Sequence, residues 1–129
     1  MSKITVPSVT SDGNNPSYFS EKVIELEGTP ERMLSAQQQA ENFRLRTSEP
    51  GYFSDWHTAG DPTLLVVLSG VVEIELRDSS KKVFSKGHMF VAEDYMDEET
   101  VTDEQHGHRA RVLGFEPLHV LHLKLSVRT

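Results

Sequence analysis

Histidine dominates the reactive side chains of this 129-residue chain: there are six, and no cysteine to act as nucleophile or thiolate ligand. His57 sits in the stretch GYFSDWHTAG, directly before the apolar run LLVVLSG. An imidazole titrates near neutral pH, so it can serve as acid, base or metal ligand. On an extended chain Asp55, two positions earlier, shares the face of His57 and can orient its ring. His106 and His108 form an H-G-H pair whose rings point the same way on a strand. His108, Ala110 and Val112 then make an inward row, with Arg109 and Arg111 opposite. Glu93 ends the apolar stretch HMFVAED, where burial would raise its pKa and fit it to take up a proton. His57 and His108 would hold a divalent ion such as Fe, Ni, Mn or Zn, with His106 or Glu93 as third ligand. Three ligands plus water is the usual arrangement at a catalytic metal. His119 shares its row with Leu121, Leu123 and Leu125 and is expected inside as a core filler. His122 shares its row with Lys124 and is expected to face water.

The elements that must position these groups are mostly strands. VIELEG alternates apolar and acidic residues, a half-buried strand over residues 23–26. Thr29 as cap, Pro30 at the first helical position and the Ala/Gln run after it predict a short helix over residues 30–41. From Phe43 the period falls to two, with Phe43, Leu45 and Thr47 on one face and Arg44 and Arg46 on the other. Residues 52–59 are expected to be extended, with Phe53, Asp55, His57 and Ala59 on one side and Tyr52, Ser54 and Trp56 on the other. LLVVLS predicts a strand covered on both faces. In VVEIEL the residues Val72, Ile74 and Leu76 point inward while Glu73 and Glu75 face water. Short runs separated by Gly and Pro turns continue to the end, interrupted by an acidic loop over residues 94–105. Eight or nine short strands spaced this way make an all-β barrel or sandwich. Residues 1–17, rich in Ser, Thr, Asn, Gly and Pro, read as a loose N-terminal arm or edge strand. Residues 18–129 then form a single barrel domain.

Composition narrows the partners. Acidic residues outnumber basic ones 20 to 13, giving a net charge of −7. Such a chain is a poor match for nucleic acid or an anionic membrane surface. Apolar runs are too short to span a bilayer, and the first residues lack the apolar core of a signal peptide. With no cysteine, the reading is a cytoplasmic protein. No G-x-S-x-G elbow, phosphate loop or dinucleotide fingerprint occurs.

At this point the residues resemble the cupin superfamily. Gly51, five residues and His57 match the opening of its first motif, and VLSG at Gly70 matches the close. FSKGHMFVAED resembles the opening of the second motif at Gly87, and GHRAR supplies Gly107 and His108. More narrowly, the chain is similar to short bacterial single-domain cupins that carry a WHxA, VVLSG, AED and GHRxR pattern. The resemblance covers residues 22–126. It implies an all-β, cupin-like jelly-roll β-barrel, here with one short N-terminal helix, and a homodimer. Three histidines and a glutamate hold the metal in a metal-binding member. Here Ala59 stands at the second histidine and Thr63 near the glutamate, so only His57 and His108 match by position.

Three functions compete. The first is a small-molecule enzyme of the proton-transfer type (isomerase, epimerase, dehydratase or cyclase) using His57, His108 and Glu93. The second is a metal-dependent dioxygenase, against which Ala59 counts. The third is a binding module that holds a small molecule without turnover. The first requires His57 and His108, 51 positions apart, to meet within one pocket.

Overall fold

The structure, a computed structural model, describes residues 2–12, 16–95 and 107–126. Ten strands follow one another: β1 (Ser2–Thr10), β2 (Tyr18–Thr29), β3 (Arg32–Leu34), β4 (Ala40–Ser48), β5 (Thr63–Ser69), β6 (Val71–Leu76), β7 (Lys81–Ser85), β8 (Met89–Ala92), β9 (His108–Leu113) and β10 (Leu118–Leu125). They form a seven-stranded sheet in the order β3-β2-β1-β8-β5-β10-β4 and a three-stranded sheet in the order β7-β6-β9. The two sheets face each other without closing into a continuous hydrogen-bonded barrel. Among the described residues no helix is long and apolar enough to cross a membrane.

The strand period builds the core. Val72, Ile74 and Leu76 of β6 are buried while Glu73 and Glu75 are half-exposed, as the alternation predicts. Val67 of β5 and Val120 of β10 reach them from the larger sheet. Phe84 of β7 stacks on Phe90 of β8, ring centroids 4.2 Å apart, and so joins the two sheets at one end. Gly70 makes the step from β5 into β6 at φ 82°. A Cβ there would lie 2.6 Å from the Pro117 carbonyl oxygen, so the chain can turn only with glycine.

Two expectations about the N-terminal region change. Ser2–Thr10 is a paired strand and not a loose arm: β1 runs antiparallel to β2 from Ser2↔Leu26 to Thr10↔Tyr18 and parallel to β8 at Ser8 and Val9. Val9 is fully buried in the core. No helix forms at residues 30–41. The chain turns at Pro30 and Glu31 and returns as β3, paired to β2, then runs extended into β4. Gly28, at φ 138° with the Arg32 carbonyl against its Cα, permits this close return. The helical preference of Ala and Gln is worth only tenths of a kcal/mol per residue, and strand pairing overrides it.

β5 also departs from its expected burial on both faces. Leu65 and Val67 face the interior, but Leu64 and Val66 are half-exposed on the outside and Leu68 is exposed.

Candidate functional site

A cavity of about 420 Å³ opens between the two sheets. Its wall is apolar, from Leu65, Ile74, Phe90 and Val120 among others, and its polar groups are few: His57, His108, His122, Arg46, Tyr52 and Asp55 with two serines. Such a mix of hydrocarbon wall and sparse polar groups suits a small molecule.

His57 and His108 meet in it. Their ring centroids lie 4.5 Å apart, with the planes at 58°. The backbone enforces this. His57 donates its N–H to the His108 carbonyl at 3.0 Å and accepts from the His108 N–H at 2.8 Å. Gly107, at φ 94°, makes the approach possible, because a Cβ there would sit 2.8 Å from the His57 carbonyl oxygen.

The segment carrying His57 reaches the cavity through a bulge. It bridges β9 at Phe53↔Arg111 and again at His57↔His108. Four steps on one side therefore match three on the other, so one extra residue is inserted and the alternation of faces shifts. Tyr52 and Ser54 face the cavity before the bulge, Asp55 and His57 after it. Phe53, expected beside His57, is instead exposed on the outer face. There Arg77, Trp56, Arg109, Phe53 and Arg111 stack in alternation, each guanidinium 4.3–4.7 Å from a ring centroid. This ladder clamps the irregular segment to β9.

His108 is buried and its partner is Asp94, which solvent does not reach. His108 Nδ1 donates to Asp94 Oδ2 at 2.9 Å. Ser17 Oγ accepts from the Gly107 N–H at 3.0 Å and donates to the same carboxylate oxygen at 2.7 Å. The Ala59 N–H donates to Oδ1 at 3.0 Å. Burial by itself would push the Asp94 pKa up. The hydrogen bond and charge of His108, with those from Ser17 and Ala59, outweigh it and hold the group below the usual carboxylate range. The carboxylate is thus ionised and accepts only.

His57 sits at the rim, exposed, with one side against His108. Its Nδ1 lies 2.8 Å from the Asp55 carbonyl oxygen, which can only accept. Asp55 does orient the ring, as expected, but through its backbone and not its carboxylate. Partial desolvation is the main cause that lowers the His57 pKa; the Asp55 carbonyl opposes it and His108 adds to it. In both rings Nδ1 carries the proton, which leaves Nε2 as the basic atom.

Other candidates fall elsewhere. Glu93 is buried but does not line the cavity; its Oε1 pairs with Lys22 Nζ at 2.9 Å. The inward row of β8 is Phe90, Ala92 and then Asp94, so the neighbouring carboxylate takes the place expected of Glu93. β8 is apolar on both faces, and its inward side cannot be chosen by hydropathy. β10 repeats the problem. His119 is exposed, while Leu118, Val120 and His122 line the cavity, the reverse of the expected faces. His106 lies outside the described residues, as does most of the acidic loop. Among the described residues no group of three His, Asp or Glu could hold a metal ion. Ala59 packs against the core and Thr63 borders a second, adjoining cavity.

Sequence reasoning missed Ser17, Arg46 and His122 as site residues. Ser17 looked like part of an unstructured arm, and Arg46 lies on a strand whose apolar residues are the more conspicuous.

No family model and no curated protein matches the chain. Solved structures do. The cupin domain of Schizosaccharomyces pombe Cnp3 covers 98% of this chain and 89% of its own, with TM-score 0.51 and 11% identity. This chain has the cupin fold. A cupin 2 conserved barrel domain protein from Rhodopseudomonas palustris gives the same TM-score over 98% of this chain and 74% of its own, at 10% identity. At these identities the likeness is one of fold. The residues on the two inner faces of this cupin fold must carry any statement about chemistry.

Proposed function

We propose that the chain is a small-molecule enzyme that moves protons within the cavity, of the isomerase, epimerase, dehydratase or cyclase type. The observation that supports it is the facing pair of imidazoles, one neutral at the rim and one tied to a buried carboxylate. His57 Nε2 takes a proton from the substrate. His108, held by its hydrogen bond to Asp94, delivers one to a second atom. The apolar wall excludes water around the reacting atoms. Net transfer from one atom to another gives isomerisation or epimerisation; delivery to a leaving hydroxyl gives dehydration.

A divalent metal is a weaker reading. Among the described residues neither Nε2 makes a hydrogen bond, and each Nδ1–H is fixed by an acceptor, as at ligating histidines. Two described ligands fall short of three, so no step is routed through a metal. The acidic, cysteine-free composition supports a cytoplasmic setting. The outer face of β4 and β10, with Phe43 and Leu45 some two-thirds exposed, supports pairing with a second copy.

The test is solvent exchange. The protein is incubated in D2O with small aldehydes, ketones and keto acids, and C–H to C–D exchange is followed by NMR. The reading expects protein-dependent exchange that falls at least about 100-fold in His57→Gln. Binding without exchange favours a non-catalytic module. Iron-dependent oxygen uptake favours a dioxygenase.

A further inference from the structure

We infer that the cavity takes a small organic carboxylate, seated with its charged end on Arg46 and His122 and its apolar body on the wall leading to His57 and His108. This deepens the reading of the cavity as a substrate site and rests on it.

The register of β4 against β10 makes the anion end. Ser48 lies opposite Leu118, Arg46 opposite Val120 and Arg44 opposite His122. β4 therefore turns its polar row inward, while Phe43 and Leu45 face outward. Arg44, Arg46 and His122 also border a second cavity of about 250 Å³ that adjoins the first through Arg46 and His122. Lys124, at its far edge, is neutralised by Asp61 at 2.9 Å and Glu41 at 3.8 Å.

The arginines lack such neutralisation. Among the described residues no carboxylate forms an ion pair with Arg44 or Arg46. Arg46 is held in place all the same. Its Nε donates to Ser48 Oγ at 3.3 Å, and its guanidinium lies over the Tyr52 ring, 5.3 Å from the centroid. Its terminal N–H groups have no partner among the described residues. A planar fork fixed at one edge and open at the other is suited to two parallel bonds to a carboxylate.

The surroundings favour an anion too. Burial chiefly, then Arg46 and Arg44, lower the pKa of His122, so its ring offers a neutral N–H. The charge of Arg46 is also felt at His57, so an anion seated on Arg46 lies near the proton-transfer pair. The chain as a whole carries −7, which makes this cationic mouth a local exception that steers anions inward.

Inward charges on an edge strand can also serve only to discourage sheet-to-sheet pairing. A matched pair of probes separates the two roles: phenylacetate and phenylacetamide, alike in shape and different in charge. Calorimetry on the intact chain should show phenylacetate binding more tightly, with the His122 ring signals shifting in NMR. Arg46→Gln should weaken phenylacetate at least about tenfold and leave phenylacetamide unchanged, the loss expected for a charge-assisted pair. Arg46→Lys, which keeps the charge and loses the fork, should fall between. His57→Gln should lose exchange while keeping the preference for phenylacetate over phenylacetamide that Arg46→Gln loses, so loss of exchange chemistry and loss of anion recognition are separate results. No binding of either probe, equal binding of both, tighter binding of inorganic phosphate, or an unchanged affinity in Arg46→Gln overturns the inference.

Discussion

Asp94 and His108 are joined by a 2.9 Å hydrogen bond between a buried imidazole and a carboxylate closed off from solvent. The bond fixes the tautomer of His108 and the orientation of its ring. Asp94→Asn keeps the shape and removes the charge. Proton exchange should fall about 10- to 100-fold, as when an orienting partner is lost. Global stability should drop by about 1–3 kcal/mol in chemical denaturation, since a buried polar network is left incomplete.

The same group sets the acid limb of stability. Its folded pKa lies below its ordinary value of 3.8. A depressed carboxylate contributes stability above the unfolded pKa and loses it as pH falls through the folded one. Unfolding followed between pH 5 and about 2 should show wild-type stability falling below pH 3.8. The Asp94→Asn curve should be flatter there.

His57 and His122 act in the same direction, in a higher pH range. Both pKa values are lowered from 6.5, so acid favours the unfolded chain, which binds the proton more readily. NMR titration should place both rings below 6.5. His108→Ala should move His57 upward, because one lowering influence is removed. A rate that needs neutral His57 should decline on the acid side of neutrality.

Gly107→Ala tests the contact between the two histidine backbones. The new Cβ would press on the His57 carbonyl, and a φ of 94° strains any side chain. A loss of about 1–3 kcal/mol in stability is expected. Activity should fall even at temperatures where the variant is fully folded, because the two rings no longer meet.

The outer apolar face gives a further measurement. Leu45→Glu places a charge on a residue that is 69% exposed and on the face of β4 opposite the cavity. If a second copy docks there, light scattering should show the molar mass fall from dimer to monomer. Binding of phenylacetate should be unchanged.

Much of the architecture was legible in the sequence. Period-two patterning located β6 and β9 with their correct faces, and the Gly and Pro punctuation separated the strands. His57 and His108 were picked out by residue type and spacing, and they do meet. What failed was parity. β8 and β10 are apolar on both faces, so hydropathy chose Glu93 over Asp94 and His119 over His122. The bulge between Phe53 and His57 leaves no compositional trace, since any residue can be the extra one. Ser17 was hidden because its role depends on a contact 77 positions away, which no local pattern encodes. The helix expected over residues 30–41 lost to pairing with β2, a long-range term of the same kind.

That bulge lets one short segment serve both surfaces of the sheet at once. Phe53 points out into the arginine ladder, and His57, four positions on, points into the hollow, which an uninterrupted strand would not allow. Removing one residue from the stretch SDW would restore regular pairing with β9 and leave the ring where it is, because residues directly across an antiparallel pair share a face. A lineage or a designer could therefore change the length of this segment by one codon without unseating the rim imidazole.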